Sequence, residues 1–152
     1  GLEASVKAAY LYKFIGYVDW PGSAFASNEA PYVIGVAGDD AVLAELQRLL
    51  AGRSVNGRPL VATRVATGEP VEPLHVLYVG RCVRTAAALL AVAGRAVLTI
   101  ADGSGAVAEG AVLGFLLVQG KVRFEASQRA AERAGLKLSA RLLAVAERVV
   151  TP

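Results

Sequence analysis

Two runs of strand length, separated by only two residues, constrain this chain more than any other feature. Residues 112–118, VLGFLLV, are apolar throughout, and residues 121–125, KVRFE, alternate strictly between charged and apolar. Gln119-Gly120, a short glycine-containing link, stands between them, so the pattern predicts a β-hairpin. A period of two sets Val122 and Phe124 on one face and Lys121, Arg123 and Glu125 on the other. That is a half-buried strand with one wet face. Ser127 then stands where an N-cap belongs, opening a helix over 127–134 that Gly135 stops. A second helix starts near Ser139 and carries Leu142, Leu143 and Val145. This block has the look of a docking surface more than of a reaction centre.

Upstream, strand-like and helix-like runs alternate. Residues 3–20 read as one helix, because Val6, Ala9, Tyr10, Phe14 and Tyr17 recur at three and four, with Leu11, Ile15 and Val18 as a second row. The apolar arc is wider than one face of a surface helix, while Lys7, Lys13 and Asp19 mark its wet side. Pro21-Gly22 ends it. Strands are expected at 32–37, 58–66, 74–79 and 96–101, and helices at 40–50 and 82–93. Asp39 or Asp40 caps the first of these helices. Residues 23–31 and 67–73 read as loops. No repeat or linker divides the 152 residues, so a single domain over 1–152 is expected. Alternating strands and helices predict an α/β fold, a three-layer αβα sandwich. Its central sheet is mostly parallel, with the C-terminal hairpin as an antiparallel edge.

Composition excludes more than it suggests. The chain is 55% hydrophobic, much of it alanine, yet no apolar run approaches the roughly 18 residues of a membrane helix. A net charge of +3 spread over scattered Lys and Arg lacks the basic cluster with aromatic neighbours of a nucleic-acid binder. One cysteine, Cys82, forbids an intrachain disulfide, and one histidine with one cysteine argues against a His/Cys metal site. No leader is visible at Gly1-Leu2-Glu3.

Catalytic patterns fail one by one. Ligand chemistry in such folds gathers at the carboxyl ends of the strands, where Asp39, Asp40 and Asp102 are expected. A phosphoacceptor domain of the response-regulator type has such an acidic pair, but it also needs an acceptor aspartate after a central strand, and here Gly80-Arg81 follows. Gly35-Val36-Ala37-Gly38 lacks the third glycine of a dinucleotide fingerprint, and Gly120-Lys121 lacks the Ser or Thr of a phosphate loop. Ser104 and Ser127 have no nearby histidine, and His75 lies inside an apolar strand, as a satisfied core or edge histidine does. Cys82 beside Arg81 and Arg84 is either an activated thiol or, more simply, a small buried residue. The plain reading of the paired aspartates is a helix cap. The sharper one is a small-molecule sensing site at Asp39, Asp40 and Asp102. No catalytic residue, cofactor or metal is expected.

A resemblance joins these pieces. VKAAYLYKFIGYVDWP (6–21), YVIGVAGDD (32–40), LHVLYV (74–79) and above all GKVRFEASQRAAERAGLKLSARLLAVAERV (120–149) resemble, in order, the blocks of the YfiR family. The closing block reads Phe-Glu-Ala-Ser where that family more usually has Phe-Glu-Ile-Asn, a change that keeps a capping residue. Better-known members carry cysteine pairs that this chain cannot form. The resemblance implies a periplasmic repressor, its leader removed on export. It would bind the periplasmic part of YfiN, a membrane-bound diguanylate cyclase, and an outer-membrane lipoprotein, YfiB, would sequester it. It also implies a homodimer, in a pathway controlling cyclic-di-GMP and biofilm formation. The expected partner-binding residues are Lys121, Arg123 and Glu125 on the wet strand face and Leu136, Lys137 and Leu138 in the link between the last two helices. Apolar residues in so short a link cannot all point inward, and an edge strand offers backbone groups to a partner.

Overall fold

The computed structural model describes residues 1–66 and 72–152, so most of the loop expected at 67–73 lies outside the described residues. The elements in order are α1 (Leu2–Ile15), β1 (Val18–Asp19), β2 (Tyr32–Ala37), α2 (Asp40–Leu50), β3 (Ser54–Val55), β4 (Arg58–Arg64), β5 (Val76–Val79) and α3 (Thr85–Ala91). They continue with β6 (Leu98–Asp102), β7 (Leu113–Val118), β8 (Lys121–Ser127), α4 (Gln128–Arg133), β9 (Lys137–Leu138), α5 (Ala140–Val145) and β10 (Arg148–Val150).

Among the described residues eight strands form one sheet in the order β10-β8-β7-β6-β5-β2-β4-β3. Its centre is parallel, and the β7–β8 and β3–β4 pairs are antiparallel. The expected α/β class, mostly parallel sheet and hairpin are all present. Central strands β2 and β5 are apolar on both faces because helices cover both. On one face α1 and α2 pack together, and Leu11, Phe14 and Ile15 join Ile34, Val36, Tyr78, Ile100, Phe115 and Phe124 in the larger core. The Phe14 ring meets Phe124 edge-on at 4.9 Å. On the other face Ala88 of α3 and the following Val92 cover Leu77, Val79 and Ala101.

Local chemistry sets the boundaries. Gln119 and Gly120 both take positive φ, 52° and 77°, the two left-handed residues of a tight primed hairpin turn. The Ser127 hydroxyl accepts from the Ala130 N–H and caps α4 as expected, and the Ser139 hydroxyl accepts from the Leu142 N–H and caps α5. Asp39 caps α2 by accepting from the Val42 N–H at 3.1 Å.

Four expectations are corrected. The first helix stops at Ile15 rather than at residue 20, because Gly16 closes it and the Tyr17 carbonyl accepts from the Ser139 N–H at 2.9 Å. Val18–Asp19 instead pairs antiparallel with Lys137–Leu138. This small clip turns Leu136 and Leu138 inward, 4% and 8% exposed, so the link between the last helices does not protrude as expected, and only Lys137 is exposed. Lys7 is on no wet side; it is 3% exposed. Finally, the hairpin is not the sheet edge along its whole length. β10 runs parallel to β8 outside it, matching Arg148, Val149 and Val150 to Glu125, Ala126 and Ser127. Glu125 is therefore buried, at 8% exposure, and its carboxylate meets Arg148 at 3.0 Å.

Candidate functional site

The topology reverses at β2, which has β4 on one side and β5 on the other. Crevices at such switch points are where ligands settle in open α/β sheets. Gly80, just past β5, keeps this point tight: a Cβ there would lie 2.6 Å from the Gly38 carbonyl oxygen.

Asp39 after β2, Tyr78 on β5 and Asp102 at the end of β6 converge here. The Tyr78 hydroxyl lies 3.2 Å from Asp102 Oδ2 and 3.4 Å from Asp39 Oδ2, so its one proton serves two carboxylates. Burial first, then the negative charges of Asp102 and Asp39, push the Tyr78 phenol far above its usual range and keep it a neutral donor. Lys7 reaches in from α1, with Nζ 2.5 Å from Asp102 Oδ2 and 2.6 Å from Glu3 Oε2. The Lys7 hydrogen bond and charge, with Arg81 adding less, hold the Glu3 carboxyl below its usual range. Arg81 closes the outside, 3.3 Å from Glu3 and 3.4 Å from Asp102.

Lys7 and Arg81 thus offset the charges of Glu3 and Asp102, while Asp39 is held by the Val42 N–H and the Tyr78 hydroxyl, and Asp102 has a side chain only 5% exposed. Asp40, grouped with Asp39 and Asp102 in the sequence reading, points elsewhere and pairs with Arg64 on the surface at 2.9 Å. Among the described residues no set of three His, Cys, Asp or Glu side chains is placed to hold a metal ion. The arrangement ties α1 to the strand ends. Sequence reasoning missed Lys7, Glu3 and Tyr78. The only available signal was a lysine amid an apolar helical arc, and it was assigned to solvent.

His75 is buried and fully occupied. Its Nδ1 accepts from the Val33 N–H at 3.0 Å, which places the proton on Nε2, donating to the Ala24 carbonyl at 2.8 Å. Phe25 stacks on the ring at 4.4 Å. Burial, more than any nearby charge, lowers its pKa. Cys82 is free and exposed, three residues before α3, which overturns the buried reading.

The hairpin presents a different surface. Lys121 and Arg123 are exposed as the alternation requires, while Val122 and Phe124 are buried beneath α1. Beside them α1 turns out the part of its broad arc that the core does not use. Leu2 is 81% exposed, with Val6 and Tyr10 partly covered, and Tyr17, just past the helix, is 38% exposed.

Comparison with curated proteins finds no significant match. A family model described as YfiR/HmsC-like matches residues 4–147, from α1 to the residue before β10. The matched span holds the basic hairpin face and, of the ionic tie at the strand ends, Lys7, Arg81 and Asp102, and the chain belongs to the YfiR/HmsC-like family.

Proposed function

We propose that this protein is a periplasmic regulator without chemistry of its own, which binds the periplasmic part of a YfiN-like diguanylate cyclase and represses it. Cyclic-di-GMP output and biofilm formation would follow its occupancy, and a YfiB-like lipoprotein would compete for it. The carrying observation is membership of the YfiR/HmsC-like family along nearly the whole chain. The geometry supports a binder over a reaction centre. The titratable groups gathered at the strand ends already have partners, and His75 has both ring nitrogens engaged. A sensing site at Asp39 and Asp102 finds less support, since these carboxylates already share Tyr78 with each other. Of the expected docking residues, the exposed Lys121, Arg123 and Lys137 remain the candidates.

The test is affinity for the purified periplasmic domain of such a cyclase. Arg123→Glu should leave the melting temperature within a degree or two, because exposed charges contribute under about 1 kcal/mol. It should weaken binding by about 2 kcal/mol, since a reversed charge at a partly desolvated contact costs more than one in water. No measurable binding by the unaltered protein refutes the proposal.

A further inference from the structure

The exposed part of α1 and the outer side of β8 enclose a furrow that neither the core nor the ionic tie uses. Two adjoining hollows make it, of about 420 and 190 Å3, and the Tyr10 ring lines both. Its floor is apolar: Val6, Tyr10 and Phe14 from α1, Val122 and Phe124 from β8. Leu2 and Leu117 stand at one end, 81% and 49% exposed, and Val145 at the other, 68% exposed. Three of the large apolar side chains most exposed to water in the described chain thus ring one feature. Clustered exposed apolar area of this kind marks an interaction site.

The charges along the furrow are one-sided. Lys121 and Arg123 line the first hollow, Lys13 and Arg141 the second, and all four are exposed. The one carboxylate in either lining, Glu3, is already held by Lys7 and Arg81. An apolar floor between unopposed cations calls for an apolar stripe flanked by carboxylates.

The backbone decides the form of the occupant. Val118 pairs with Lys121 across the two-residue turn, so Lys121, Arg123 and Glu125 bond to β7, while Val122 and Phe124 turn their polar groups outward. The Val122 carbonyl accepts from the Tyr10 hydroxyl at 3.1 Å, and the Phe124 carbonyl from the Glu147 N–H at 2.8 Å. With both outward acceptors taken, and with β10 already paired along residues 125–127, an added strand would find only N–H groups on this edge. Recognition must proceed through side chains, as when an amphipathic helix lies in a groove. From Leu2 to Phe14 the furrow runs about 18 Å at 1.5 Å per residue, room for about three turns of a partner helix.

We infer that the α1–β8 furrow is the seat of an amphipathic helix of the regulated partner, with its apolar stripe on Tyr10 and Phe124 and its acidic flanks on Lys13, Lys121, Arg123 and Arg141. This rests on the cyclase reading above and moves the centre of docking from the strand face to the groove beside it.

The experiment measures affinity of the full chain for the periplasmic domain of a YfiN-like cyclase. Leu2→Asp and Val145→Asp replace exposed residues at the two ends of the furrow, and Val61→Asp, on β4, is the control. Each furrow variant should keep its melting temperature and lose at least tenfold in affinity, Val61→Asp less than twofold. Affinity should also fall as salt rises, because the flanking charges are exposed. If the unaltered protein binds and the furrow variants bind equally well, the furrow inference is wrong and the cyclase reading survives. If the unaltered protein does not bind at all, both fail. If the variants instead change the sedimentation of the protein alone and not its partner affinity, a second copy occupies the furrow and the inference is overturned.

Discussion

Helix α1 deals with polar and apolar surface in opposite ways along its two sides. Toward the strand ends it sinks a charge: Lys7 is 3% exposed and reaches Asp102, which in turn holds Tyr78. Toward β8 it leaves apolar carbon in water, at Leu2, Val6 and Tyr10. Burying a charge is tolerated only where partners surround it, so the polar side is finished. The apolar side lacks a counterpart within the fold. Completeness therefore identifies structure, and incompleteness identifies the surface left for another molecule.

The sharpest way to break this contrast is Asp102→Ala. It leaves the Lys7 ammonium buried with Glu3 alone, and removing one member of a buried pair costs about 3–5 kcal/mol. Urea unfolding should show that loss, whereas Leu2→Asp in the furrow should change stability by under about 0.5 kcal/mol. A loss below 1 kcal/mol for Asp102→Ala would mean the polar side is no more finished than the apolar one.

A second buried polar group extends the contrast to pH. Burial lowers the folded-state pKa of His75 below 6.5, so the unfolded chain binds the proton first. Its contribution is intact above about pH 6.5 and is lost as pH falls from there through the lowered folded value. One group gives a slope of at most about 1.4 kcal/mol per pH unit. Melting curves between pH 7.5 and 5 should decline, and His75→Phe, which keeps a ring to stack on Phe25, should flatten that decline while lowering overall stability. An unchanged slope would assign the pH sensitivity to other groups.

The smallest effect separates two adjacent aspartates. Asp39→Ala removes the α2 cap and should cost about 1 kcal/mol. Asp40→Ala removes an ion pair whose side chains are 78% and 66% exposed, and should cost under about 0.5 kcal/mol. Equal losses in thermal unfolding would show that the exposed pair carries more than its surroundings allow.

What the sequence revealed follows the range of the forces involved. The turn at Gln119-Gly120, the cap at Ser127, the helix start near Ser139 and the strand 32–37 are local, and each appears where the pattern put it, while the α2 cap, open between Asp39 and Asp40, falls to Asp39. The alternation in β8 correctly set Lys121 and Arg123 outside. It failed for Glu125 because β10, a strand of three residues, lies over that end. Lys7 was misread because its partner Asp102 stands 95 positions away, and no helical period reports such a neighbour. The clip of Val18–Asp19 on Lys137–Leu138 was hidden for the same reason, and with it the inward turn of Leu136 and Leu138. Of the candidate site, the basic strand face could be read from spacing. The furrow beside it could not, since two distant segments build it.

That separation has a kinetic consequence. The hydrogen bond from Tyr10 to Val122 spans 112 positions, and Phe14 finds Phe124 over a similar distance. α1 lies far ahead of the hairpin in the chain, so although α2 can pack on it early, the side of its arc that meets Phe115 and Phe124 stays uncovered until β7 and β8 dock. Contacts of such long range slow folding, because loop closure is paid before they reward it. A folding chain of this design is exposed to misassociation until β8 docks, which makes the last third of the sequence the part that closes the core.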